Sequence, residues 1–166
     1  MKKIVVISDT HCSRKSQKLP ARLVDVLASA DLILHAGDWS DWSVYPLLSE
    51  YAPVEGVAGN TDPSEIAEKL GYSRIVEVEG LRLGLVHGHL GSKGTEQNAI
   101  HTFAGQHVDA VIYGHSHIPV MHTVDNTLVF NPGSPTDKRF QKQYSFGIMT
   151  IEQGKIQAEH VFFDRY

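Results

Sequence analysis

The sequence predicts an α/β protein: two packed β-sheets of mixed strand direction with helices on the outside. Three observations lead there. From residue 3 to residue 70, apolar β-branched runs alternate with segments at helical spacing in the order β-α-β-α-β-α, the pattern of parallel strands joined by crossover helices. From residue 74 to residue 163 the pattern changes to paired alternating segments around two-residue turn signals, which is that of antiparallel hairpins. Finally, five apolar runs end in polar residues: Asp9-Thr10-His11, Gly37-Asp38, Gly59-Asn60, His87-Gly88-His89 and Gly114-His115-Ser116-His117. Open α/β sheets place ligands at that end of their strands, so these loops are expected to gather at one edge.

Lys3 to Ser8 is apolar and β-branched and reads as a buried first strand. Gln17 to Ser29 reads as an amphipathic helix, with Leu19, Leu23, Val26 and Leu27 at helical spacing and Pro20 tolerated in its first turn. Asp31 to His35 is a second buried strand. Trp39 to Tyr51 reads as a helix, kinked or interrupted at Pro46. Pro53 to Ala58 is a third strand, and Pro63 opens a short helix to Leu70 with Asp62 as its cap. Arg74 to Glu79 and Leu81 to Val86 form a hairpin around Glu79-Gly80. Ser92 to Gln106 is a loop and then a helix, and Asp109 to Tyr113 is another buried strand. Val120 to Val124 and Thr127 to Phe130 flank Asp125-Asn126, and Tyr144 to Glu152 and Lys155 to Phe163 flank Gln153-Gly154. Asn131 to Pro135 is a loop. No repeat, linker or low-complexity segment breaks the chain, so residues 1–166 are expected to form a single domain.

A net charge of −4 offers no bulk attraction to nucleic acid or to an anionic membrane. A single cysteine, Cys12, excludes an intrachain disulfide and fits a cytoplasmic protein. Only four apolar residues follow Met1-Lys2-Lys3, too few for a signal segment, and no stretch is long enough to span a membrane. Ten histidines, clustered in motifs, point toward metal binding.

The candidate ligands are Asp9, His11, Asp38, Asn60, His87, His115 and His117. Two carboxylates, one amide and four imidazoles without a thiolate suit Mn, Fe, Ni or Zn better than Ca or a soft metal. Seven side chains exceed what one open catalytic ion needs, but suit two ions sharing a carboxylate. Asp38, the sole carboxylate of the second block, is the expected bridge. Taken singly, each block has a plainer reading. Asp9 and His11 stabilise turns, and Asn60 alone is an ordinary turn residue. His35 lies on an apolar run and reads as a core or supporting histidine. His101, His107, His122 and His160 read as surface or structural. Asn131 to Ser134 reads as a Pro-Gly turn, and Lys138, Arg139 and Lys142 as a solvated run.

Taken in order, Asp9-x-His11, Gly37-Asp38, Gly59-Asn60, His87-Gly88-His89 and Gly114-His115-x-His117 resemble the calcineurin-like metallophosphoesterases. They are most similar to the small single-domain YfcE-type phosphodiesterases of bacteria and archaea. The likeness covers nearly the whole chain, and Asn131-Pro132-Gly133-Ser134 looks like that subfamily's late loop. The resemblance implies a four-layer αββα sandwich. It also implies that one ion takes Asp9, His11, Asp38 and His117, and that the other takes Asp38, Asn60, His87 and His115. It implies phosphodiester hydrolysis by a hydroxide bridging two divalent ions, which lower the pKa of bound water from 15.7 toward ~7. Mn is the first expectation for the ions, with Ni, Fe or Zn as alternatives. One position departs from the pattern: many members carry a histidine after the Gly-Asn pair that helps the leaving group, and Thr61 stands there here. His89 is the rival proton donor, so the candidate catalytic residues are Asp38, Asn60 and His89.

The expected partner is a small phosphodiester. No membrane partner is expected, short loops and the lack of a basic surface disfavour long nucleic acid, and a homo-oligomer stays open. Two other functions fit the same residues. One is a protein-binding scaffold, since a retromer subunit resembles this family with part of its ligand set lost. The other is a phosphomonoesterase, since two metals do not by themselves choose between mono- and diesters. Cyclic nucleotides, cyclic dinucleotides, nucleic-acid ends and glycerophosphodiesters all remain open as substrates.

Overall fold

Alternation along the first strand sets the layering. In the computed structural model, which describes residues 1–11 and 19–164, β1 spans Lys2–Ile7. Successive side chains of a strand point to opposite faces. Val5 and Ile7 accordingly join one core cluster, and Ile4 and Val6 another. The remaining elements are α1 (Ala21–Leu27), β2 (Leu32–His35), α2 (Val44–Ser49), β3 (Val54–Gly56), α3 (Ser64–Leu70), β4 (Ser73–Val78) and β5 (Leu81–Val86). They continue with α4 (Thr95–Thr102), β6 (Ala110–Ile112), β7 (Val120–Val124), β8 (Thr127–Asn131), β9 (Tyr144–Glu152) and β10 (Lys155–Phe163).

Two five-stranded mixed sheets result, in the orders β10-β9-β1-β2-β3 and β4-β5-β6-β8-β7. In the first, β1, β2 and β3 run parallel and β9 is antiparallel to β1. In the second, β5, β6 and β8 run parallel, with β4 and β7 antiparallel at the edges. Leu23 and Leu27 of α1, Leu48 of α2 and Ile66 of α3 pack on the outer face of the first sheet. Ile4, Val6, Leu34, Leu83, Leu85, Ile112 and Phe130 fill the space between the sheets. Ala99 and Phe103 cover the second sheet with Val111 and Val129. The layers are therefore helix, sheet, sheet, helix, as the sequence predicts. Each fully buried large apolar side chain contributes roughly 1.5–3 kcal/mol. Helices of six to eight residues would not persist without that packing.

All three expected hairpins form. Their turns, Glu79-Gly80, Asp125-Asn126 and Gln153-Gly154, have positive φ at both positions, the geometry that matches strand twist. Three helical expectations need correction. α1 starts at Ala21, because Pro20 is extended (φ −57°, ψ 141°); Gln17, Lys18 and Cys12 lie outside the described residues. The helix expected over 39–51 shrinks to Val44–Ser49. Asp38 and Ser40 take positive φ (62° and 70°) and turn the chain, and Trp39 is buried with its indole N–H donating to the Val57 carbonyl (2.8 Å). Pro46 then falls in the first turn of α2, where its missing N–H has no partner to lose. Lastly, Pro63 precedes α3 instead of opening it, and Asp62 makes no cap bond.

Candidate metal centre

Parallel strands deliver their carboxyl ends to one edge, and the two sheets meet there. Asp9 and His11 follow β1, Asp38 follows β2 and Asn60 follows β3; His87 follows β5, and His115 and His117 follow β6. All seven side chains converge. Asp9, His11 and His117 offer ligand atoms close together, and so do Asp38, His87 and His115. Between them His11 Nε2 lies 3.3 Å from His117 Nε2, and His87 Nε2 lies 3.3 Å from His115 Nδ1. Asn60 Oδ1 is 3.0 Å from both His87 Nε2 and His115 Nδ1. Asp38 Oδ2 stands between the groups, 3.5 Å from His11 Nε2 and 3.2 Å from His87 Nε2. Ligand atoms each ~2.0–2.2 Å from a common ion lie at such separations from one another.

The backbone is shaped for this convergence. Asp9, His11, Asp38, His115 and His117 all have positive φ, from 43° to 71°. Asp, Asn and His tolerate that region better than other side chains, yet each such residue still costs of order 1 kcal/mol, and such strain collects at functional sites. Two glycines make room: a Cβ on Gly59 would collide with the Asp38 carboxylate, and one on Gly37 would lie 2.7 Å from His87 Nδ1.

Hydrogen bonds fix which atoms face inward. His87 donates from Nδ1 to the Ala36 carbonyl (2.7 Å) and His117 from Nδ1 to the Asp137 carbonyl (2.6 Å), which turns both Nε2 atoms toward the centre. Asp38 Oδ1 accepts the Thr61 N–H (3.0 Å). Asp9 Oδ2 accepts from Ser8 Oγ (2.9 Å) and from the His115 N–H (3.0 Å). Asp9 Oδ1 is buried and has no hydrogen-bond partner, while three imidazole Nε2 atoms lie 3.5–3.9 Å away. A buried carboxylate oxygen with no donor is costly unless a cation meets it. The donor set therefore fits divalent ions.

The protonation pattern agrees. Burial pushes the Asp9 carboxyl up to about 7, against the pull of His87. Burial also acts to raise Asp38, but the His87 bond and charge, with the Thr61 N–H, hold it well below the usual carboxylate range. Burial lowers His87, and its bond to Asp38 and the charge of Asp9 more than reverse this. Divalent ions would displace a proton so held. His11, His115 and His117 are lowered, chiefly by burial, which keeps them in the neutral state that binds metals.

The supporting residues were only partly foreseen. His35 is fully buried and stacks on Trp39 at 3.8 Å, in keeping with a supporting role. Asp62 is misread as a helix cap. Its carboxylate instead accepts the N–H groups of Gly59 (2.7 Å), Asp38 (2.9 Å) and Ser40 (2.8 Å), tying two ligand loops together. Ser134 donates to the Asp9 carbonyl (2.8 Å) and Thr136 to the Thr10 carbonyl (2.5 Å), so the 131–137 loop straps the first ligand loop down. Arg139 is exposed, in keeping with its reading as solvated, and its charge is a lesser cause, after burial, of the lowering of His11, His115 and His117. His89 is half-buried, its ring centre 5.4 Å from that of His87, and its Nδ1 is buried without a partner.

A family model, the calcineurin-like phosphoesterase superfamily domain, matches residues 1–154. A probable metallophosphoesterase of Methanothermobacter thermautotrophicus is 35% identical over 156 residues, covering 94% of this chain and 90% of the relative. A phosphodiesterase of Methanocaldococcus jannaschii is 28% identical over 143 residues, covering 79% of this chain and 82% of the relative. Among solved structures, Vps29 of Chaetomium thermophilum shares the fold over the whole of both chains, with a TM-score of 0.78 at 18% identity.

Proposed function

Starting from the fact that the chain belongs to the calcineurin-like phosphoesterase superfamily, we propose that it is a metal-dependent phosphodiesterase with a dinuclear centre. The observation that carries this reading is the pair of buried carboxylates: Asp9 Oδ1 without a hydrogen-bond partner, and Asp38 Oδ2 within 3.5 Å of an imidazole from each group. Asp9, His11, Asp38 and His117 would hold one divalent ion, and Asp38, Asn60, His87 and His115 the other. When bound, such ions supply an acidified water and positive charge for phosphoryl oxygens.

The chain's own residues do the rest. Asp38 fixes the spacing of the two groups, and the Ala36 and Asp137 carbonyls hold His87 and His117 in the tautomer that turns Nε2 inward. Asn60, exposed at the mouth, lies where a substrate oxygen would enter. Departure of an alkoxide needs a proton, worth typically 10²–10⁴-fold in rate. The Thr61 hydroxyl is too weakly acidic to give one, and His89 stands beside His87 with Nδ1 unpaired. The metallophosphoesterase relative named a phosphodiesterase adds support.

The test is hydrolysis of bis(p-nitrophenyl) phosphate by chelator-treated protein. Mn²⁺ or Ni²⁺ should restore activity better than Mg²⁺, because four imidazoles favour the former over an oxygen-seeking ion. Asp38→Ala should lose nearly all activity while keeping its circular dichroism. Across phenols of graded acidity, His89→Ala should steepen the dependence on leaving-group pKa. Full activity with Mg²⁺ alone, or an active Asp38→Ala, would sink the reading.

A further inference from the structure

Beside the Asp38–His87–His115 group, two rings meet at an angle at the protein surface. The strand register brings one of them there. β4 pairs with β5 from Ser73 opposite Val86, so the residues one step further along, Tyr72 and His87, fall opposite each other where the ladder ends. Three ties hold this stretch in place. The Gly71 N–H donates to the Ala67 carbonyl (2.8 Å) of α3, and the Ala58 N–H donates to the Gly71 carbonyl (2.8 Å) two residues before Asn60. Arg74 pairs with Glu55 of β3. Tyr72 is nonetheless 45% exposed and packs into none of the three core clusters of the described residues. Its ring meets that of the half-buried His89 edge-on, at 5.6 Å and 60°. His89 in turn lies 5.4 Å from His87 and 6.4 Å from His115, ring centre to ring centre. One imidazole thus separates Tyr72 from two candidate ligands.

Resting on the phosphodiesterase reading, we infer that Tyr72 and His89 hold one arm of the substrate, and that this arm is a nucleoside: a flat base carried on a pentose. A phosphoryl group whose non-ester oxygens face two ions keeps its ester oxygens pointing away from them, so an arm must leave across the rim. Reach then decides the class of arm. A ring joined directly to a phosphoryl oxygen ends beside the phosphorus, at the depth of His89. A base carried on a sugar ends one pentose further out, which is the place of Tyr72. Two rings set at 60° accept a flat ring face-on to one and edge-on to the other, a pairing that a saturated chain does not make. Asn60 is exposed and lies 3.0 Å from both His87 Nε2 and His115 Nδ1, so an arm on this side passes a polar amide. The hydroxyls of a pentose suit that amide, and an alkyl chain would desolvate it.

The experiment measures competitive inhibition of bis(p-nitrophenyl) phosphate hydrolysis by three monoesters: adenosine 5′-monophosphate, ribose 5-phosphate and hexyl phosphate. It uses the Mn²⁺-loaded protein and its Tyr72→Ala and Tyr72→Trp variants. All three inhibitors carry the same phosphate, and each has a single arm free to take the better flank. Within one variant, the ratio of inhibition constants cancels any effect on the ions. In the parent, the adenosine ester should inhibit roughly tenfold more tightly than the ribose ester, the scale of one base–aromatic stack. Hexyl phosphate should inhibit no better than the ribose ester. Tyr72→Ala should bring the adenosine-to-ribose ratio close to one, and Tyr72→Trp should keep or raise it. Three results each overturn the inference and leave the phosphodiesterase reading standing: a parent ratio near one, a parent ratio that survives in Tyr72→Ala, or hexyl phosphate as tight as the adenosine ester. No metal-dependent hydrolysis of bis(p-nitrophenyl) phosphate overturns both.

Discussion

Asp62 makes more contacts with the candidate centre than its place in the sequence suggests. It accepts three backbone N–H groups, from Asp38, Ser40 and Gly59, and so holds the second and third ligand loops at a fixed distance. Removing the carboxylate leaves those donors short of a partner, at about 1–3 kcal/mol for each that stays buried. Residues that orient metal ligands typically change ion affinity by 10–100-fold when lost. Asp62→Ala is therefore expected to weaken Mn²⁺ binding by roughly that factor in a calorimetric titration while the secondary structure persists. Unchanged affinity would reduce Asp62 to a local turn residue. The seven candidate ligand positions stand out in the sequence because they lie in polar blocks that close apolar runs. Asp62 does not: Asp before Pro at a helix start reads as a cap, and only the folded chain brings it back onto Asp38, 24 residues away.

Among the elements, strands were more legible than helices, and for a physical reason. A strand advertises itself twice, by alternation and by its turn, and Glu79-Gly80, Asp125-Asn126 and Gln153-Gly154 set the hairpin registers. The region after β2 misled because Trp39 and Trp42 fit a helical stripe, while the left-handed Asp38 and Ser40 redirect the chain. The end of β2 also carries a titration. His35 is fully buried, with Nδ1 accepting the Gly37 N–H (3.1 Å) and Nε2 donating to Thr10 Oγ1 (3.0 Å). Burial holds its pKa well below 6.5 and the His87 charge adds to this, so folded His35 stays neutral while the unfolded residue takes a proton below pH ~6.5. The unfolded state then binds more protons, and stability falls with falling pH, at up to about 1.4 kcal/mol per pH unit for this group. Urea unfolding with chelator present, from pH 7.5 to pH 5, should show a shallower pH slope in His35→Gln than in the parent. Equal slopes would mean that His35 does not carry the titration.

Across the whole molecule, the candidate ligands connect the two sheets. Asp9, His11, Asp38 and Asn60 hang from β1, β2 and β3 of one sheet, and His87, His115 and His117 from β5 and β6 of the other. Without ions, that edge is joined by bonds such as His87 to the Ala36 carbonyl and the His115 N–H to Asp9, set against two buried carboxylates that repel. Each ion would draw ligands from both sheets and offset the repulsion, so ion binding and folding should be linked. No helix among the described residues is long and apolar enough to cross a membrane. At a free ion concentration of 100 times the dissociation constant, each ion adds about 2.7 kcal/mol. Two ions then shift the midpoint by roughly 10–20 °C, taking 2–4 °C per kcal/mol for a chain of this size. Thermal scans with Mn²⁺ and with excess chelator should differ by that order, and Asp38→Ala should shrink the difference sharply. The added protection in hydrogen exchange should concentrate at the carboxyl ends of β1, β2, β5 and β6, leaving the β9–β10 hairpin unaffected. Superimposable scans would mean that these seven side chains hold no ions, whatever their spacing.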